Sequence, residues 1–442
     1  MKTRTGGTTH PSPKKEKRGW QSVSTDGLED EAVIEGGADT KGICLEVIAL
    51  LATLLIGACA VVLLCSFCVG RSRHEPDTDW MMETPAAHQP NLCKDACVLS
   101  IVESIPQNLT YDKEAYIHRS TYSGLKELLS LAKESVHIAS FYWTLLGTDI
   151  AYHDSSSKEG EDIFYTLMEM GKDKKVSIKI AQNAENNDTM MLAEKANAQV
   201  RTLNFTNLLG KGILHTKFWV VDGRHFYIGS ANLDWRSLTQ VKELGVLVQD
   251  CPCLGGDVEK LFDVYWYLGA SLHVELSSSV LPEWFWPVID DALREVAFDK
   301  GVHVRLLASK WSHTLKDMYA FLCSLSMLGH THYPKMRVEV KLFVVPKYSK
   351  SQERIPYARV NHNKYMVTDQ HAYIGTSNWS GDYFINTGGV GFILEQPEDS
   401  MNTTRGNFRR QLADIFWRDW YSNHSIPLPC MFNLTESVEF DV

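Results

Sequence analysis

Two short motifs in the sequence combine residue types that can transfer a phosphoryl group. His215 and Lys217 stand two positions apart, and so do His362 and Lys364. Residues two apart on a β-strand point to the same face, so each motif is predicted to present an imidazole beside an ammonium. An imidazole can attack phosphorus or protonate a leaving oxygen, and an ammonium can neutralise the charge that builds on the phosphoryl oxygens. The two motifs together therefore predict phosphoryl transfer at a single site.

The same pattern follows both motifs. Five positions after each lysine comes an acid, Asp222 or Asp369, and a predicted strand then ends in Gly-Ser-Ala-Asn232 or Gly-Thr-Ser-Asn378. Glycine, a hydroxyl and an amide at a strand end let a phosphate approach backbone N–H groups and a side-chain donor. One His-x-Lys alone is most often an ordinary exposed strand pair, but two matched copies favour a catalytic site. We interpret both acids, although they belong to the catalytic motifs, as scaffold residues and not as proton carriers.

The motifs belong to a longer internal repeat, which predicts the fold class. Strand-like and helix-like runs follow one another in the same order in each half, for example VSIKI at Val176–Ile180 and VHVRL at Val302–Leu306. Alternation of short β-branched runs with helical runs is typical of strands packed against helices. The prediction is an α/β fold with two similar lobes, 93–271 and 272–442, each a mixed β-sheet flanked by helices.

One feature breaks this symmetry. The strand-like run Val136–Trp143 precedes the equivalent runs of the first lobe, but only residues 272–285 remain for everything that should open the second lobe. The run Leu272–Leu276 supplies at most one short strand, and the helix expected before it has no room. The second lobe is therefore predicted to be truncated at its start.

Length, charge and hydropathy indicate which segments precede these lobes and whether the chain crosses a membrane. The chain has 442 residues and a formal net charge of -10, so no global positive field attracts polyanions, and a phosphate-bearing substrate must be held locally. The uncharged run Val47–Val69 is long enough to cross a membrane once. We expect a disordered cytosolic tail (1–42), a transmembrane helix (43–69) and a stalk (70–92) before the lobes.

Glycosylation triplets and cysteines predict that the lobes are lumenal. Seven Asn-x-Ser/Thr triplets follow the apolar run and none precedes it, namely those at Asn108, Asn187, Asn204, Asn378, Asn402, Asn423 and Asn433. Cys93 and Cys97 are predicted to form two bridges with Cys251 and Cys253, because a Cys-Pro-Cys is too cramped to close on itself easily. A third bridge between Cys323 and Cys430 is possible by the same cysteine count. A zinc site is the alternative use of such pairs, but oxidising surroundings disfavour it, and we expect no metal and no cofactor.

HTKFWVVD with GSAN, and HNKYMVTD with GTSN, resemble the paired His-x-Lys-x4-Asp motifs of the phospholipase D superfamily. From about Cys93 to Trp420 the sequence is similar to the endolysosomal single-pass subgroup, members 3 and 4. The resemblance implies a type II membrane glycoprotein that travels through the endoplasmic reticulum and Golgi to endosomes and lysosomes. It also implies a metal-independent phosphodiesterase that works through a phosphohistidine, as a 5'-to-3' exonuclease on single-stranded DNA and RNA.

The resemblance implies a role for each site residue. His215 would be the nucleophile and His362 the general acid, with the reverse assignment still open. Lys217, Lys364, Asn232 and Asn378 would bind the phosphate. Glu243 matches a family carboxylate that orients the imidazole of the opposite motif, whereas the corresponding stretch of the second half has Asn386 and no acid nearby. The family's second lobe begins with a further segment, including an aliphatic strand, that this chain lacks.

Two other functions stay open on the sequence. The same intermediate would serve a phospholipid hydrolase or transphosphatidylase, with phospholipid as the partner. A catalytically inactive membrane glycoprotein is the other possibility, because of the shortened lobe. A homodimer is compatible with either. Phe141, Tyr142 and Trp143 end a predicted strand, where they would stack on bases or fill the core.

Overall fold

The computed structural model describes residues 96–173, 176–206, 210–270, 286–330, 336–397 and 407–430, all within one compact unit, Asn91–Val442. The predicted tail, membrane helix, stalk and the run Leu272–Leu276 lie outside the described residues. Within the described ranges, no helix is long and apolar enough to cross a membrane.

The first lobe contains eleven strands and five α-helices among its described residues. The strands are β1 Val98–Ser104, β2 Arg119–Ser120, β3 Ser135–Ser140, β4 Trp143–Thr144, β5 Ser177–Gln182, β6 Gln199–Thr202, β7 Ile213–Leu214, β8 Lys217–Val221, β9 His225–Gly229, β10 Leu233–Asp234 and β11 Glu243–Gln249. The helices are α1 Thr121–Ser130, α2 Lys158–Lys172, α3 Asn187–Ala196, α4 Trp235–Thr239 and α5 Pro252–Leu268.

The described part of the second lobe contributes seven strands and five α-helices. The strands are β12 His303–Lys310, β13 Arg337–Val344, β14 Tyr365–Val367, β15 His371–Gly375, β16 Thr387–Gly388, β17 Gly391–Glu395 and β18 Ser425–Pro427. The helices are α6 Val288–Asp299, α7 Lys316–Met327, α8 Lys350–Arg354, α9 Gly381–Ile385 and α10 Phe408–Tyr421.

One mixed sheet of eight strands organises the first lobe, in the order β2-β1-β11-β9-β8-β3-β5-β6. Its central strands are apolar on both faces because both faces are covered. On one face lie the apolar sides of α1, α2 and α3. On the other lie α5 and, from the second lobe, α10, β15 and β17. The two lobes therefore share a hydrophobic core, and this shared core fixes their relative position.

The second lobe lacks a continuous sheet among its described residues. It has one three-stranded sheet, β12-β13-β18, and another, β14-β15-β17. In the first lobe β3 joins the equivalent groups, because it pairs with β8 on one side and with β5 on the other. No described strand occupies that position in the second lobe. The division of the sheet is what the truncation predicted from the sequence would produce.

The helices beside the gap are poorly covered. Helix α6 buries only Ala297 and helix α7 only Leu325, whereas α2 buries six residues. The rings of Phe298 and Phe321 are both 59% exposed. A helix gains most of its stability by packing an apolar face, so α6 and α7 are weakly held compared with the helices of the first lobe.

The expectation that each histidine lies on the same strand as its lysine is wrong. Strand β8 begins at Lys217 and β14 begins at Tyr365, so His215 and His362 both precede the strand. The reason is a change of pairing partner. The N–H of His215 donates to Gly388 of the second lobe (2.8 Å), and that of His362 donates to Lys242 of the first (2.9 Å). Each histidine thus stands where its backbone pairs with the opposite lobe.

The cysteine and glycosylation predictions have these outcomes. Disulfides join Cys97 to Cys251 and Cys323 to Cys430, in agreement with the expected pairings. Cys253 is also disulfide-bonded, and Cys93 lies outside the described residues. Although the sulfurs of Cys97, Cys251 and Cys253 cluster, bridged cysteines are not zinc thiolates, which removes the zinc alternative at these three.

Four acceptor asparagines are exposed and one is partly buried, while two fall outside the described part of the chain. The exposed ones are Asn108, Asn187, Asn204 and Asn423; the partly buried one is Asn378, and the last two are Asn402 and Asn433.

Candidate active site

Each motif histidine contacts the opposite lobe through Nδ1. Nδ1 of His215 lies 3.0 Å from the carbonyl oxygen of Thr376, in the second lobe. Nδ1 of His362 lies 3.0 Å from both carboxylate oxygens of Glu243, in the first lobe. The sequence predicts the Glu243 contact through the family resemblance but not the role of Thr376, for which a backbone carbonyl leaves no signal in residue type. The opposite lobe thus engages Nδ1 in both rings and leaves Nε2 to act on a substrate, although Nε2 of His215 also lies 3.0 Å from Nζ of Lys217.

The two lysines lie beside the histidines, completely enclosed. Nζ of Lys217 donates to the carbonyl of His215 (2.8 Å), and Nζ of Lys364 donates to that of His362 (2.7 Å). Nζ of Lys217 also lies 3.0 Å from both ring nitrogens of His215. Burial lowers the pKa of Lys364 to about 7, although Glu243 opposes this. Burial and the neighbouring Lys364 lower the pKa of Lys217 well below its ordinary value. An anion between the lysines would restore their positive charge.

The histidines differ in electrostatic environment. Burial lowers the pKa of His215 far below its ordinary value, and Lys217 and Lys364 add to the effect, so this ring is neutral. Burial also lowers the pKa of His362, but the Glu243 carboxylate opposes the change. Burial disfavours the charge of Glu243 too, yet His362 and Lys364 more than offset this and leave its pKa below the ordinary value. The pKa of His362 therefore also lies below its ordinary value, but of the two rings only His362 has a carboxylate that favours its imidazolium.

The asymmetry of the two halves has a visible cause. The hydroxyl of Ser230 exchanges hydrogen bonds with the backbone of Leu244, and the hydroxyl of Thr376 does the same with Val390. This register makes Gly389, and not Asn386, the counterpart of Glu243. A Cβ at Gly389 would lie 2.1 Å from Oγ of Ser377, so a side chain there would require Ser377 to move. The site has a single orienting carboxylate because the second lobe has a glycine at the equivalent position.

The predicted phosphate amides follow the strands β9 and β15, which pair with β8 and β14 beside the two motifs. Asn232 is 9% exposed, and its Oδ1 has no hydrogen-bond partner within the described ranges. Asn378 is half-buried at the end of β15. Asn363, between His362 and Lys364, likewise has amide atoms that no described residue satisfies. Buried polar atoms are normally paired, so these amides indicate a place where a polar ligand binds.

The two motif acids stand apart from this chemistry. The carboxylate of Asp222 accepts hydrogen bonds from the backbone N–H groups of Lys133, Glu134 and Ser135, at 2.7 to 2.9 Å, and so fixes the start of β3. Asp369 is exposed, and in the described part of the chain it forms no hydrogen bond with its carboxylate. In the second lobe no described strand corresponds to β3, whose start Asp222 fixes in the first. These placements match the scaffold interpretation for Asp222.

Aromatic rings flank His215. The centroids of Phe141 and Tyr383 lie 5.0 Å and 4.7 Å from that of His215, and Nζ of Lys217 lies 5.5 Å from the centroid of Phe141. Trp143, by contrast, is a buried core residue. Sequence reasoning missed Tyr383, which follows the second motif without any distinguishing spacing.

Comparison with known proteins gives a consistent result. A family model described as PLD3/4, PLD-like domain matches residues 112–281, and one described as Cardiolipin synthase, PLD-like domain matches residues 279–420. The chain is 38% identical to a Xenopus laevis protein named 5'-3' exonuclease PLD3, over 79% of this chain and 84% of that protein. It is 36% identical to a Mus musculus protein named 5'-3' exonuclease PLD4, over 82% and 86%. Among solved structures, the phospholipase D family member Nuc from Salmonella typhimurium matches with a TM-score of 0.29 and 18% identity, over 39% of this chain and 95% of that chain.

The frog relative also bears on the truncation. Its alignment runs over 423 positions but uses only 79% of this chain of 442 residues, so many residues of the relative have no counterpart here. The two family models meet at residues 279–281, where the second lobe begins.

Proposed function

Because the chain belongs to the PLD3/PLD4 family of the phospholipase D superfamily, we propose that it is a 5'-3' exonuclease that cleaves single-stranded DNA and RNA. The observation that carries the proposal is the pair of histidines with unlike partners. A carbonyl faces Nδ1 of His215, and a carboxylate faces Nδ1 of His362. One site thus holds both a nucleophile and a proton donor.

In the first step, Nε2 of neutral His215 attacks phosphorus. A P–N bond forms, the P–O bond to the departing strand breaks, and Nε2–H of the His362 imidazolium gives its proton to the leaving oxygen. Lys217 and Lys364 neutralise the charge that develops on the phosphoryl oxygens, assisted by the amides of Asn232 and Asn378.

In the second step, neutral His362 removes a proton from water, and the resulting hydroxide attacks the phosphohistidine. The P–N bond breaks and His215 is neutral again, while His362 is protonated for the next cycle. The carboxylate of Glu243 stabilises the imidazolium at the start and the end of the cycle, which fits His362 as the acid better than His215.

The proposal includes a lumenal, endolysosomal location for a type II membrane protein. Two described disulfides support an oxidising compartment, and four acceptor asparagines are exposed enough to carry glycans. Acidity also suits the site. Burial lowers the pKa of Lys364 to about 7, so a lumen near pH 5 keeps this phosphate ligand charged.

The shortened lobe does not argue for an inactive protein. Strands β14, β15 and β17 carry the second motif, and they pack against the first-lobe sheet in the shared core. The weakly covered part, around β12 and helices α6 and α7, carries none of the residues assigned to catalysis. The site is therefore supported independently of the missing strand.

The test is degradation of single-stranded DNA and RNA at pH 5, with 5'-hydroxyl substrates labelled at either end. We expect stepwise shortening from the 5' end, and no shortening by the His215→Ala variant. Release of head groups from phosphatidylcholine vesicles with intact oligonucleotides would establish the phospholipid alternative instead. Absence of both activities in folded protein would establish the inactive one.

A second experiment assigns the histidines. The His362→Asn variant lacks the proton donor, but a p-nitrophenyl phosphodiester has a leaving group that needs no proton. We expect it to release nitrophenolate in a single burst and to retain a phosphoryl adduct on residue 215, detectable by mass spectrometry of acid-sensitive peptides. An adduct on His362 in the His215→Asn variant would reverse the assignment.

A further inference from the structure

Arg359 is a buried arginine at the interface between the lobes. It is 3% exposed, and its guanidinium reaches both lobes. Nε and Nη2 donate to the carbonyl of Pro346 in the second lobe, at 2.9 and 2.7 Å. Nη1 donates to the carbonyl of Gln107 (3.0 Å) and to Oε1 of Gln240 (3.3 Å), both in the first lobe. No carboxylate pairs with it in the described part of the chain, so its charge is balanced by carbonyl dipoles and by the ring of Tyr348, whose centroid lies 5.6 Å from Cζ.

The backbone at Arg359 is strained. Its φ of 58° is in the left-handed region, which residues other than glycine rarely occupy. Such a conformation persists only where the surroundings enforce it, and it is concentrated at functional sites. Here the enforcing contacts are the guanidinium bonds to two lobes and a bond from the N–H of Arg359 to the carbonyl of Gln240, at 3.1 Å.

This strained turn leads directly into the catalytic motif. After Arg359, the N–H of Lys242 donates to Val360 (2.9 Å), and the N–H of His362 donates to Lys242 (2.9 Å), with Lys242 and Asn361 forming a parallel bridge. The next residue of the first-lobe segment is Glu243, whose carboxylate contacts His362. A slip in this short ladder would separate His362 from Glu243, because no other described backbone pairing joins the two segments.

We propose that Arg359 is a positioning residue that sets the register between residues 359–362 and 240–243 and thereby keeps the imidazole of His362 on the carboxylate of Glu243. The inference rests on the proposed function, since it assigns His362 a role as proton donor. Arg359 contacts neither histidine and acts only through the ladder.

The kinetic test compares Arg359→Lys with Arg409→Lys in the full-length chain. One ammonium cannot span the carbonyls of Pro346 and Gln107 as the planar guanidinium does. Displacement of a catalytic group by about 1 Å costs up to about 100-fold in rate, so we expect kcat on a 5'-hydroxyl oligonucleotide to fall about 10- to 100-fold, with KM within about twofold. The alkaline limb of the kcat profile should also move to lower pH.

Arg409 is the matched control. It is 5% exposed and also donates to carbonyls, those of Thr368 (2.9 Å) and Gln396 (3.1 Å), but both lie in the second lobe. Its substitution should lower the melting temperature without moving the alkaline limb. If Arg359→Lys leaves the limb in place, or changes kcat no more than Arg409→Lys does, the positioning role is refuted.

Two further measurements separate this inference from the proposed function. Titration of His362 by NMR with labelled histidine needs no activity, and its pKa should fall in Arg359→Lys because the contact with Glu243 is weakened. An unchanged pKa would overturn the proposal even in an active enzyme. If Arg359→Lys does not fold, Gln240→Ala removes one of the acceptors without leaving a buried ammonium. We expect the pKa of His362 to fall in this variant too, but by less. An unchanged pKa would also refute the positioning role.

Discussion

Replacing Glu243 with glutamine tests the proposed division of roles most directly. The side chain is fully buried and both of its oxygens lie 3.0 Å from Nδ1 of His362. Glutamine has nearly the same shape and can still accept a hydrogen bond, but it carries no charge. The substitution therefore removes the attraction that favours the imidazolium and leaves the packing almost unchanged.

The size of the effect follows from the geometry. Two opposite charges about 4 Å apart attract by about 4 kcal/mol at an effective dielectric constant of about 20, which is equivalent to about three pH units. Lys364 also interacts with Glu243, so His362 experiences only part of this attraction. We expect the pKa of His362 to fall by about two pH units, within the range observed for a neighbouring opposite charge.

The direction of this change in the pKa of His362 determines what the assay should show. Protonated His362 is the donor, so activity is lost as the pH rises through its pKa, and a lower pKa moves that loss to lower pH. In Glu243→Gln the alkaline limb of kcat should move by about two pH units, and kcat above the limb should fall about 100-fold. Glu339→Gln is the control, since Glu339 pairs with His303 on an exposed part of β12 and β13. A limb that stays in place in Glu243→Gln would refute the assignment of His362 as the acid.

The positioning role of Arg359 adds a coupling test. If Arg359 acts by holding His362 on Glu243, then Arg359→Lys should produce little further change once Glu243 is already glutamine. Additive effects in the double variant would mean that the arginine acts by another route.

Three further predictions concern stability and are measured by urea unfolding. Asp222→Ala removes an acceptor from three backbone N–H groups and should cost about 2 kcal/mol, whereas Asp369→Ala should be nearly neutral; equal losses would contradict the scaffold asymmetry. Cys97→Ser opens a bridge between residues 154 apart and should lower the free energy of unfolding by about 3 to 5 kcal/mol. Reduction of the wild type breaks the same bridge together with others, so a smaller loss on reduction would argue against this estimate. Inserting the relatives' additional second-lobe segment should raise the melting temperature by several degrees, and unchanged stability would mean that the gap is already filled.

The sequence was sufficient for the α/β fold class and the repeated motifs, because each depends on residue type and order. The exact position of the histidines was not predictable in the same way. Period-two alternation predicts that each lies on a strand with its lysine, but His215 and His362 pair with the opposite lobe, and β8 and β14 begin only after them. The hydrogen bond from His215 to the Thr376 carbonyl, and the equivalence of Gly389 with Glu243, depend on three-dimensional register that a single sequence does not encode locally.

Contacts with the first lobe explain how the second lobe keeps its half of the site although no described strand joins its two sheets. His362 is held by the backbone of Lys242 and the carboxylate of Glu243, both from the first lobe, and Lys364 follows it into a sheet that packs on the shared core. A strand that joined β14 to β12 would lie on the far side of that sheet from β17, and no described strand does so. Two strand edges without a described partner and the weak packing of α6 and α7 are a cost to stability and solubility, while the geometry of the site depends on contacts that the first lobe supplies.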